Sequence, residues 1–549
     1  MTTNSPLLTV QNLSVAYPNA ARTGIKYAVQ DISFQLAEGE KLGFVGESGS
    51  GKSTIGRAII RLLPPTAQVS GSATFQDQPI FDLDPSALRK FRGEAVSIVF
   101  QDPMTRLNPL MTIGQHCMET ILAHEPQIGK AAAKQRTLEA LGTVKIAASR
   151  WQQYPHEFSG GMRQRVAIAL ALVLNPKMII ADEPTTSLDV RVSAEILRAL
   201  TELCQERNLG LMLISHDLAM MAEYCDRLIV MNDGQQIETG TVKQIFAAPQ
   251  EKYTQTLLNS ALHIQSDDHN AKVAGTQKSI LKLTNLQKHY TLESNFLQKL
   301  IGGEDSKTIK AVDNVELELY EGEIFGLVGE SGCGKSTLSR TILQLIPATG
   351  GKVEFMGKEL NRLSLREMQA QRREMQMIFQ DPSAALNPKM TIGDSIADAL
   401  LIHNMATPTA ARTQVLEILG KVGLSPATEF IDRYPTALSG GQQQRVGIAR
   451  ALITHPKLII CDEPVSMLDA TVQTEVLDLM LALKEEFKLT YLFITHDLWL
   501  AKFLCDRIAV MNQGQIVEMG DTASIFNNPQ AAYTKELLAA APLLTKKTA

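Results

Sequence analysis

The stretch "GFVGESGSGKST", residues 43 to 54, is an apolar run followed by a glycine-rich loop that ends in a lysine and two hydroxyl residues. Residues 46 to 53 fit the pattern GxxxxGK[ST], in which backbone N–H groups and a helix N-terminus bind phosphate. The pattern predicts a strand before the loop and a helix after it. It also predicts that Lys52 contacts the β- and γ-phosphates of a nucleotide and that Ser53 binds Mg²⁺.

The same stretch returns as "GLVGESGCGKST" at residues 326 to 337, so the chain contains two copies of one fold. Lys335 and Ser336 then take the places of Lys52 and Ser53. Later pairs recur after 280 residues: "FSGGMRQRV" with "LSGGQQQRV", "IIADEPTTSLD" with "IICDEPVSMLD", and "LISHDL" with "FITHDL". We expect one domain over 5–261, a polar linker over 262–279 and a second domain over 280–545.

Apolar strand-like runs and amphipathic segments alternate within each copy. The runs "KLGFV", "KMII" and "LGLMLI" each lead into a motif, and "VSAEILRALTELCQER" is typical of a helix. This alternation predicts an α/β fold with a largely parallel sheet, whose strand ends carry the ligand site. The second copy has ten extra residues within "TLESNFLQKLIGGEDSKTIK" (291–310), predicted to be a loop or a short surface helix.

The composition, 44% hydrophobic and 20% charged over 549 residues, is that of a soluble globular protein. A net charge of -5 gives no electrostatic reason to expect nucleic-acid binding. The six cysteines are scattered without metal-site spacing, which favours a reduced, cytosolic setting. Neither a signal peptide nor a membrane span is evident. A membrane role would therefore come through a partner.

An acidic pair follows an apolar run in each copy, Asp182 with Glu183 and Asp462 with Glu463. The first carboxylate is expected to hold Mg²⁺, directly or through water, as in other enzymes with this phosphate loop. The second is placed to polarise the attacking water as a general base. A solvated acidic turn is the alternative, and the unbroken apolar lead-in disfavours it.

Two further polar residues follow strand-like runs in each copy. Gln101 and Gln380 could reach both Mg²⁺ and the attacking water, although a lone glutamine is more often an ordinary loop residue. His216 and His496 follow their acidic pairs at equal distances, which favours a γ-phosphate contact over a structural role.

One tyrosine precedes the phosphate loop in each copy, Tyr17 in the first and Tyr290 in the second. Each could stack on adenine with its aromatic face. A packed or surface tyrosine in a strand is the alternative, because aromatic residues are common in strands.

With these motifs in this order, the chain resembles two ATP-binding-cassette ATPase domains over nearly its whole length. The resemblance implies a core mixed sheet, an antiparallel β subdomain and a helical subdomain in each copy. It implies ATP and Mg²⁺ as cofactors. The loop residues that would contact ATP are Gly46, Ser48, Gly49, Gly51, Lys52, Ser53 and Thr54 in one copy and Gly329, Ser331, Gly332, Gly334, Lys335, Ser336 and Thr337 in the other.

In that family the Ser-Gly-Gly segment of one cassette contacts the ATP held by the other, so the resemblance implies that the two cassettes pair within one chain. A helix N-terminus with glycines and a serine hydroxyl suits an anionic phosphate. Asp189 and Asp469 match the family's loop that links the two sites. The segments are Ser159, Gly160 and Gly161, expected at the ATP of Lys335, and Ser439, Gly440 and Gly441, expected at the ATP of Lys52.

Two positions depart from the commonest pattern. Met162 replaces the glutamine that follows Ser-Gly-Gly, a change tolerated in the family. Cys333 takes the place of Ser50, and nearby amide donors are expected to lower the pKa of its thiol. We therefore expect a thiol reagent to modify Cys333 and bound ATP to protect it.

The family includes importers, exporters, DNA-repair ATPases and translation factors, and features of the sequence distinguish among them. Translation-type tandem cassettes have long charged linkers, repair-type members insert zinc fingers, and fused exporters carry membrane spans; none of these features is evident. The "QDPMTRLNP" and "QDPSAALNP" segments and the tails "KYTQTLL" and "AYTKELL" are similar to the oligopeptide, dipeptide and nickel importer group, in its fused two-cassette branch. That branch includes importers of microcin C and glutathione.

This similarity implies an ATPase at the cytoplasmic face of the inner membrane that drives the uptake of peptides or peptide-like compounds. Its partners would be two integral-membrane permease subunits and an extracytoplasmic substrate-binding protein. Two alternatives stay open at this point. They are a soluble tandem ATPase acting on ribosomes or DNA, and a fused sugar-importer ATPase, whose second copy would usually have lost motifs that this chain retains.

Overall fold

A computed structural model of the chain describes residues 6–18, 24–103, 105–185, 188–265, 278–291 and 308–541. The chain divides into two compact units that meet in sequence at His263 and Ile264. A helix continues to Gln265, four residues into the predicted linker. The rest of that linker up to residue 277 lies outside the described residues, as do residues 292–307 of the stretch 291–310 in which the ten extra residues were predicted.

Each copy is built on a six-stranded sheet whose strands are parallel except for one antiparallel edge strand. The order is β10-β9-β3-β8-β7-β6 in the first copy and β16-β17-β18-β13-β19-β20 in the second. In the first copy the strands are β3 (Lys41–Val45), β6 (Val96–Val99), β7 (Met178–Asp182), β8 (Gly210–Ile214), β9 (Arg227–Asn232) and β10 (Gln235–Thr241). In the second they are β13 (Ile324–Val328), β16 (Met375–Ile378), β17 (Leu458–Asp462), β18 (Thr490–Thr495), β19 (Arg507–Asn512) and β20 (Gln515–Asp521).

A second sheet in each copy is antiparallel and four-stranded, in the order β2-β1-β4-β5 and again β12-β11-β14-β15. Its strands in the first copy are β1 (Leu8–Pro18), β2 (Ile25–Leu36), β4 (Gln68–Phe75) and β5 (Gln78–Pro79). Those in the second copy are β11 (Ser279–Thr291), β12 (Thr308–Tyr320), β14 (Gly350–Phe355) and β15 (Lys358–Glu359).

Helices cover the central sheet and form a separate group between the strand β6 or β16 and the Ser-Gly-Gly segment. The first copy contains α1 (Lys52–Ile59), α2 (Pro85–Lys90), α3 (Ile113–His124), α4 (Lys130–Thr143), α5 (Gly160–Leu172), α6 (Val190–Glu206), α7 (Leu218–Tyr224), α8 (Val242–Ala247) and α9 (Lys252–Gln265). The second contains α10 (Lys335–Ile342), α11 (Leu365–Glu374), α12 (Pro382–Ala385), α13 (Ile392–Ile402), α14 (Pro408–Lys421), α15 (Ala427–Phe430), α16 (Gly440–Leu452), α17 (Ala470–Phe487), α18 (Leu498–Leu504), α19 (Thr522–Asn527) and α20 (Ala532–Ala540).

The central strands are apolar without alternation because both of their faces are covered. Along β7, Ile179 and Ala181 pack into one hydrophobic cluster while Met178 and Ile180 pack into another. Parallel strands buried on both sides have this composition. The predicted α/β fold, with its mixed sheet and its antiparallel and helical parts, is confirmed. Among the described residues, no helix is long and apolar enough to cross a membrane.

Candidate nucleotide site

The phosphate loop of the first copy runs from the end of β3 to the start of α1, as its motif predicts. Gly51 precedes the helix with a φ of 96°, and a Cβ there would lie 2.3 Å from the carbonyl oxygen of Ala28. Only glycine adopts this turn without strain and clash. The buried Lys52 ammonium donates hydrogen bonds to the carbonyl oxygens of Gly46 and Glu47, each at 2.7 Å.

The second copy repeats this geometry between β13 and α10. Gly334 has a φ of 113°, and its Cβ would lie 2.1 Å from the Ala311 carbonyl oxygen. The Lys335 ammonium donates to the carbonyl oxygens of Gly329 and Glu330, at 2.7 and 3.0 Å. The remaining loop residues also match in position: Ser48, Gly49, Ser331 and Gly332 are exposed in the loops, and Thr54 and Thr337 lie in the first helical turns.

The loop serine and the strand-end aspartate of each copy are hydrogen-bonded. The Ser53 hydroxyl donates to Asp182 Oδ1 at 2.5 Å, and the Ser336 hydroxyl donates to Asp462 Oδ1 at 3.3 Å. These contacts join the two motifs because β3 and β7 both flank β8 in the sheet. Hydroxyl and carboxylate oxygens are the ligands that a hard divalent cation prefers.

The environment of the first aspartate fits a divalent cation. Asp182 is 1% exposed, and its Oδ2 is buried without a hydrogen-bond donor, with the Arg57 guanidinium at 3.6 Å. Burial raises the pKa of both Asp182 and Asp462 above its usual value. Within the described ranges no three His, Cys, Asp or Glu residues cluster as a metal site. The Ser53 hydroxyl and the Asp182 carboxylate are thus among the oxygen ligands that this site offers a divalent cation.

The predicted general bases contact both of their predicted neighbours. Gln101 Nε2 donates to Glu183 Oε2 at 2.7 Å, and His216 Nδ1 lies 3.4 Å from Glu183 Oε1. In the second copy, Gln380 Nε2 donates to Glu463 Oε2 at 2.9 Å. His496 Nδ1 lies 3.1 Å from the same oxygen. In each copy the structure thus brings together the glutamine, the glutamate and the histidine at the carboxyl ends of neighbouring strands.

Glu183 and Glu463 occupy an unusual backbone conformation. Their φ angles are 47° and 49°, in the left-handed region that costs a side-chain-bearing residue roughly 1–2 kcal/mol. Each is held there by a hydrogen bond from its own N–H, to the carbonyl oxygen of Ile214 or of Ile494, at 2.9 Å. Strain of this kind is concentrated at functional sites.

The second glutamate and histidine shift each other's pKa. Burial alone would raise the pKa of Glu463, but the His496 imidazole beside it holds that pKa below its usual value. Burial alone would lower the pKa of His496, but the Glu463 carboxylate raises it above 6.5. The carboxylate therefore stays ionised, which is the state that a general base requires.

The Ser-Gly-Gly segments begin helices α5 and α16, and the two starts differ. In the second copy Ser439 Oγ accepts the Gln442 N–H at 3.3 Å while Gln442 Oε1 accepts the Ser439 N–H at 3.1 Å, which is a capping box. In the first copy Met162 replaces this glutamine, and the Ser159 side chain makes no capping hydrogen bond. Instead, the Met162 sulfur lies 3.1 Å from Arg150 Nη1.

The second glycine of each segment has a packing role that its motif did not reveal. A Cβ on Gly161 would lie 2.3 Å from Val192 Cγ1, and a Cβ on Gly441 would lie 2.5 Å from Val472 Cγ1. These glycines let α5 and α16 approach helices α6 and α17. The first glycines, Gly160 and Gly440, are exposed and less crowded.

Asp189 and Asp469, the predicted linking aspartates, lie at the starts of helices α6 and α17. Asp189 Oδ1 accepts the Val192 N–H at 2.9 Å and caps α6, while Asp469 precedes α17.

The tyrosines predicted to stack on adenine lie in the antiparallel sheets. Tyr17 is partly buried and pairs with Lys26 on β2, the strand that also contacts Gly51. Tyr290 is 41% exposed and pairs with Ile309 on β12.

The expectation of an acidic Cys333 thiol is wrong. Cys333 is 7% exposed, and burial raises the pKa of its thiol despite Lys335 and the nearby amides. Desolvation disfavours the thiolate more than the surrounding donors favour it. Sequence reasoning identified the donors but had no signal for the burial.

Two contacts at the site were missed from the sequence. The Arg57 guanidinium faces Asp182 from α1, and a basic residue five positions after the loop lysine was its only signal. Tyr533, in the tail "AYTKELL", accepts a hydrogen bond from the backbone N–H of Glu330 at 3.3 Å. The tail was noticed only as a family resemblance, because nothing local in it indicates a contact 203 residues away.

Comparison with known proteins agrees with this geometry. The family model described as ABC transporter matches residues 29–186 and again residues 312–466. A second model, described as oligopeptide/dipeptide transporter, C-terminal region, matches residues 237–288 and 517–549. Both models thus match twice, once in each copy.

Two curated relatives match over nearly the whole length of this chain. The chain is 42% identical to the peptidoglycan transport ATP-binding protein YejF of Agrobacterium fabrum, over 98% of this chain and 97% of that protein. It is 40% identical to the glutathione import ATP-binding protein GsiA of Escherichia coli, over 98% of this chain and 90% of that protein. The predicted resemblance is confirmed, and the ATP-binding ATPase activity follows with it. The chain belongs to the ATP-binding-cassette transporter family, as a subunit with two ATPase cassettes that each carry the oligopeptide/dipeptide-type C-terminal region.

Proposed function

We propose that this chain supplies the ATP-driven step of an importer for peptides or peptide-like compounds. The observation that carries this proposal is the oligopeptide/dipeptide transporter C-terminal region, which matches in both cassettes. The names of the relatives, which concern peptidoglycan transport and glutathione import, point to the same substrate class. The chain would act at the cytoplasmic face of the inner membrane, with two integral-membrane permease subunits and an extracytoplasmic substrate-binding protein.

The proposed chemistry in each cassette is hydrolysis of ATP by a polarised water. Lys52 would leave its loop carbonyls to bind the β- and γ-phosphates, and Ser53 and Asp182, with Gln101, would hold Mg²⁺. That cation would neutralise phosphate charge. Glu183 would accept the proton of the attacking water, and His216 would contact the γ-phosphate.

The second cassette would use the equivalent residues in the same roles. These are Lys335 for the phosphates, Ser336, Asp462 and Gln380 for Mg²⁺, Glu463 as the base and His496 for the γ-phosphate. The hydrogen bonds that join the serine to the aspartate and the glutamine to the glutamate support this assignment in both copies. Adenine stacking on Tyr17 and Tyr290 stays a prediction. The contact of each Ser-Gly-Gly segment with the nucleotide of the other cassette also stays a prediction. The domain limits of 5–261 and 280–545 are proposed on the same resemblance.

Reconstitution tests the importer function. The chain would be co-expressed with candidate permease subunits, purified in detergent and inserted into proteoliposomes. We expect ATP hydrolysis to rise when a peptide-loaded binding protein is added, and to stay low with an unloaded one. Co-purification with ribosomes or DNA, without permeases, would contradict the proposal and favour a soluble ATPase.

A further inference from the structure

The C-terminal part of the second cassette touches the loop that receives the nucleotide. Glu330 is the second residue of the phosphate loop, and its backbone N–H donates to the Tyr533 hydroxyl at 3.3 Å. Tyr533 lies in α20, within the matched C-terminal region over residues 517–549. The C-terminal region, which was recognised only by its resemblance to transporters, therefore contacts the phosphate loop directly.

Helix α20 is fixed in place at its start. The Glu518 carboxylate, on the edge strand β20, accepts the backbone N–H groups of Gln530 at 2.7 Å and Ala531 at 3.0 Å. Burial raises the pKa of Glu518, but these amides together with the nearby Thr534 and Lys535 side chains outweigh it and hold the pKa below its usual value, so the carboxylate stays charged. Thr534 and Leu537 are buried on the inner side of the helix. Tyr533 is thus held at the loop by a docked helix.

The backbone N–H and the carbonyl oxygen of Glu330 are both hydrogen-bonded. The N–H of Glu330 contacts Tyr533, and its carbonyl oxygen accepts the Lys335 ammonium at 3.0 Å. A second bond from the C-terminal half supports the loop, since the Gly514 N–H donates to the Cys333 carbonyl oxygen at 2.9 Å. The loop binds phosphate through backbone N–H groups, so its affinity depends on these groups being held in the bound arrangement beforehand.

We propose that Tyr533 is a positioning residue for the nucleotide of the second cassette. Its hydroxyl fixes the peptide of Glu330, keeps the phosphate loop in its binding conformation, and so raises the affinity for ATP. This inference rests on the binding of ATP at this loop. It assigns the C-terminal region of the second cassette a role at its own nucleotide site.

The test uses the full chain with Lys52→Ala, so that only the second site binds nucleotide tightly. Tyr533→Phe is added to this parent because phenylalanine keeps the ring and removes only the hydroxyl. The affinity for a fluorescent ATP analogue with Mg²⁺ should fall about three- to tenfold, the usual effect of one lost hydrogen bond. Amide hydrogen exchange in the peptide spanning residues 326–337 should also become faster without nucleotide.

Tyr253→Phe in the same parent is the matched control, because Tyr253 occupies the equivalent position in the first cassette. It should leave the affinity and the exchange of residues 326–337 unchanged. An unchanged affinity in Tyr533→Phe would overturn the inference, even if exchange became faster, because the contact would then be structural only. Failure of the Lys52→Ala parent to bind the analogue would instead contradict nucleotide binding at this loop, and with it the premise of the inference.

Discussion

Gln101 donates a hydrogen bond from Nε2 to Glu183 Oε2 at 2.7 Å, and Gln380 and Glu463 repeat the contact at 2.9 Å. The glutamine follows the strand β6 or β16, and the glutamate follows the strand beside it. The amide therefore fixes the orientation of the carboxylate that we assign as the base.

Replacement of both bases, Glu183→Gln with Glu463→Gln, should stop turnover while ATP binding persists. An amide keeps the size and the hydrogen bond to the neighbouring glutamine but cannot accept a proton at neutral pH. Removal of a general base costs about 10²–10⁴-fold in rate. Phosphate release and equilibrium ATP binding measure the two quantities. Normal hydrolysis in the double variant would show the base to be a different group, and the two single variants show what each cassette contributes.

Met162→Gln should give the first cassette the capping box that the second cassette has. The new side chain would accept the Ser159 N–H, and its backbone N–H would donate to the Ser159 hydroxyl. Such caps stabilise a helix by about 0.5–2 kcal/mol. Amide hydrogen exchange at the start of α5 should become slower.

Gln442→Met is the reverse change, made in the second cassette. It should speed amide exchange at the start of α16, because a methionine side chain cannot accept the Ser439 N–H as Gln442 Oε1 does. Equal exchange in variant and parent, for both substitutions, would mean that the capping difference has no energetic effect.

Two glycines of the first phosphate loop should respond differently to alanine. Gly49 and Gly51 both have a positive φ, at 81° and 96°. A Cβ on Gly51 meets the Ala28 carbonyl oxygen at 2.3 Å, whereas a Cβ on Gly49 meets nothing within 4 Å. Gly51→Ala should therefore lower the Tm clearly more than Gly49→Ala. Gly49→Ala places its methyl group in open space, so it should lower the Tm only through the positive φ. Equal losses of Tm would argue against the crowding at Gly51.

The hydrogen bonds from the Gln530 and Ala531 N–H groups to the Glu518 carboxylate should weaken in acid. The folded pKa of this carboxyl lies below its unfolded value of 4.5, so its stabilising effect is complete above pH 4.5. The effect is lost as the pH falls through the folded pKa. Glu518→Gln should thus lower the Tm at pH 7 and make little difference at low pH.

Glu238 accepts the N–H groups of Gln250 and Glu251 in the first cassette, and its pKa is likewise lowered by these amides against the effect of burial. Glu238→Gln should therefore show the same pH dependence. A Tm difference that does not change with pH, for either substitution, would mean that the lost charge is not what holds the helix.

The thiols should be unreactive in the folded protein. All six cysteines are free and buried, and burial raises the pKa of the Cys333 thiol at the phosphate loop. A thiol titration at neutral pH should find almost none in the native state and all six in denaturant. ATP should not change the native result, and Cys333→Ser identifies the contribution of that residue. Rapid, ATP-sensitive labelling of Cys333 would restore the original expectation of an activated thiol.

Local patterns in the sequence predicted the fold and most of the site geometry. The apolar runs that become β3, β7 and β8 are continuous because both sheet faces are covered, and their motifs follow at the strand ends. The serine, aspartate, glutamate, glutamine and histidine come together in each copy because parallel strands end at one edge of the sheet. Their catalytic roles remain predictions.

The features that were missed all depend on distant parts of the chain. The burial of Cys333, the packing of Gly161 on Val192, and the bond between Tyr533 and Glu330 are set by tertiary neighbours. A periodicity or a motif carries no information about such neighbours. The capping difference between Ser159 and Ser439 was visible as Met162, but its meaning required the geometry of Gln442.

The left-handed backbone of Glu183 and Glu463 means that the residues we propose as bases lower the stability of their own chain. Glycine at either position would relieve this strain and remove the proposed base in a single substitution. A library of variants screened only for heat resistance would therefore enrich inactive transporters at these two codons. Engineering a more robust importer will require selection for uptake and for stability together.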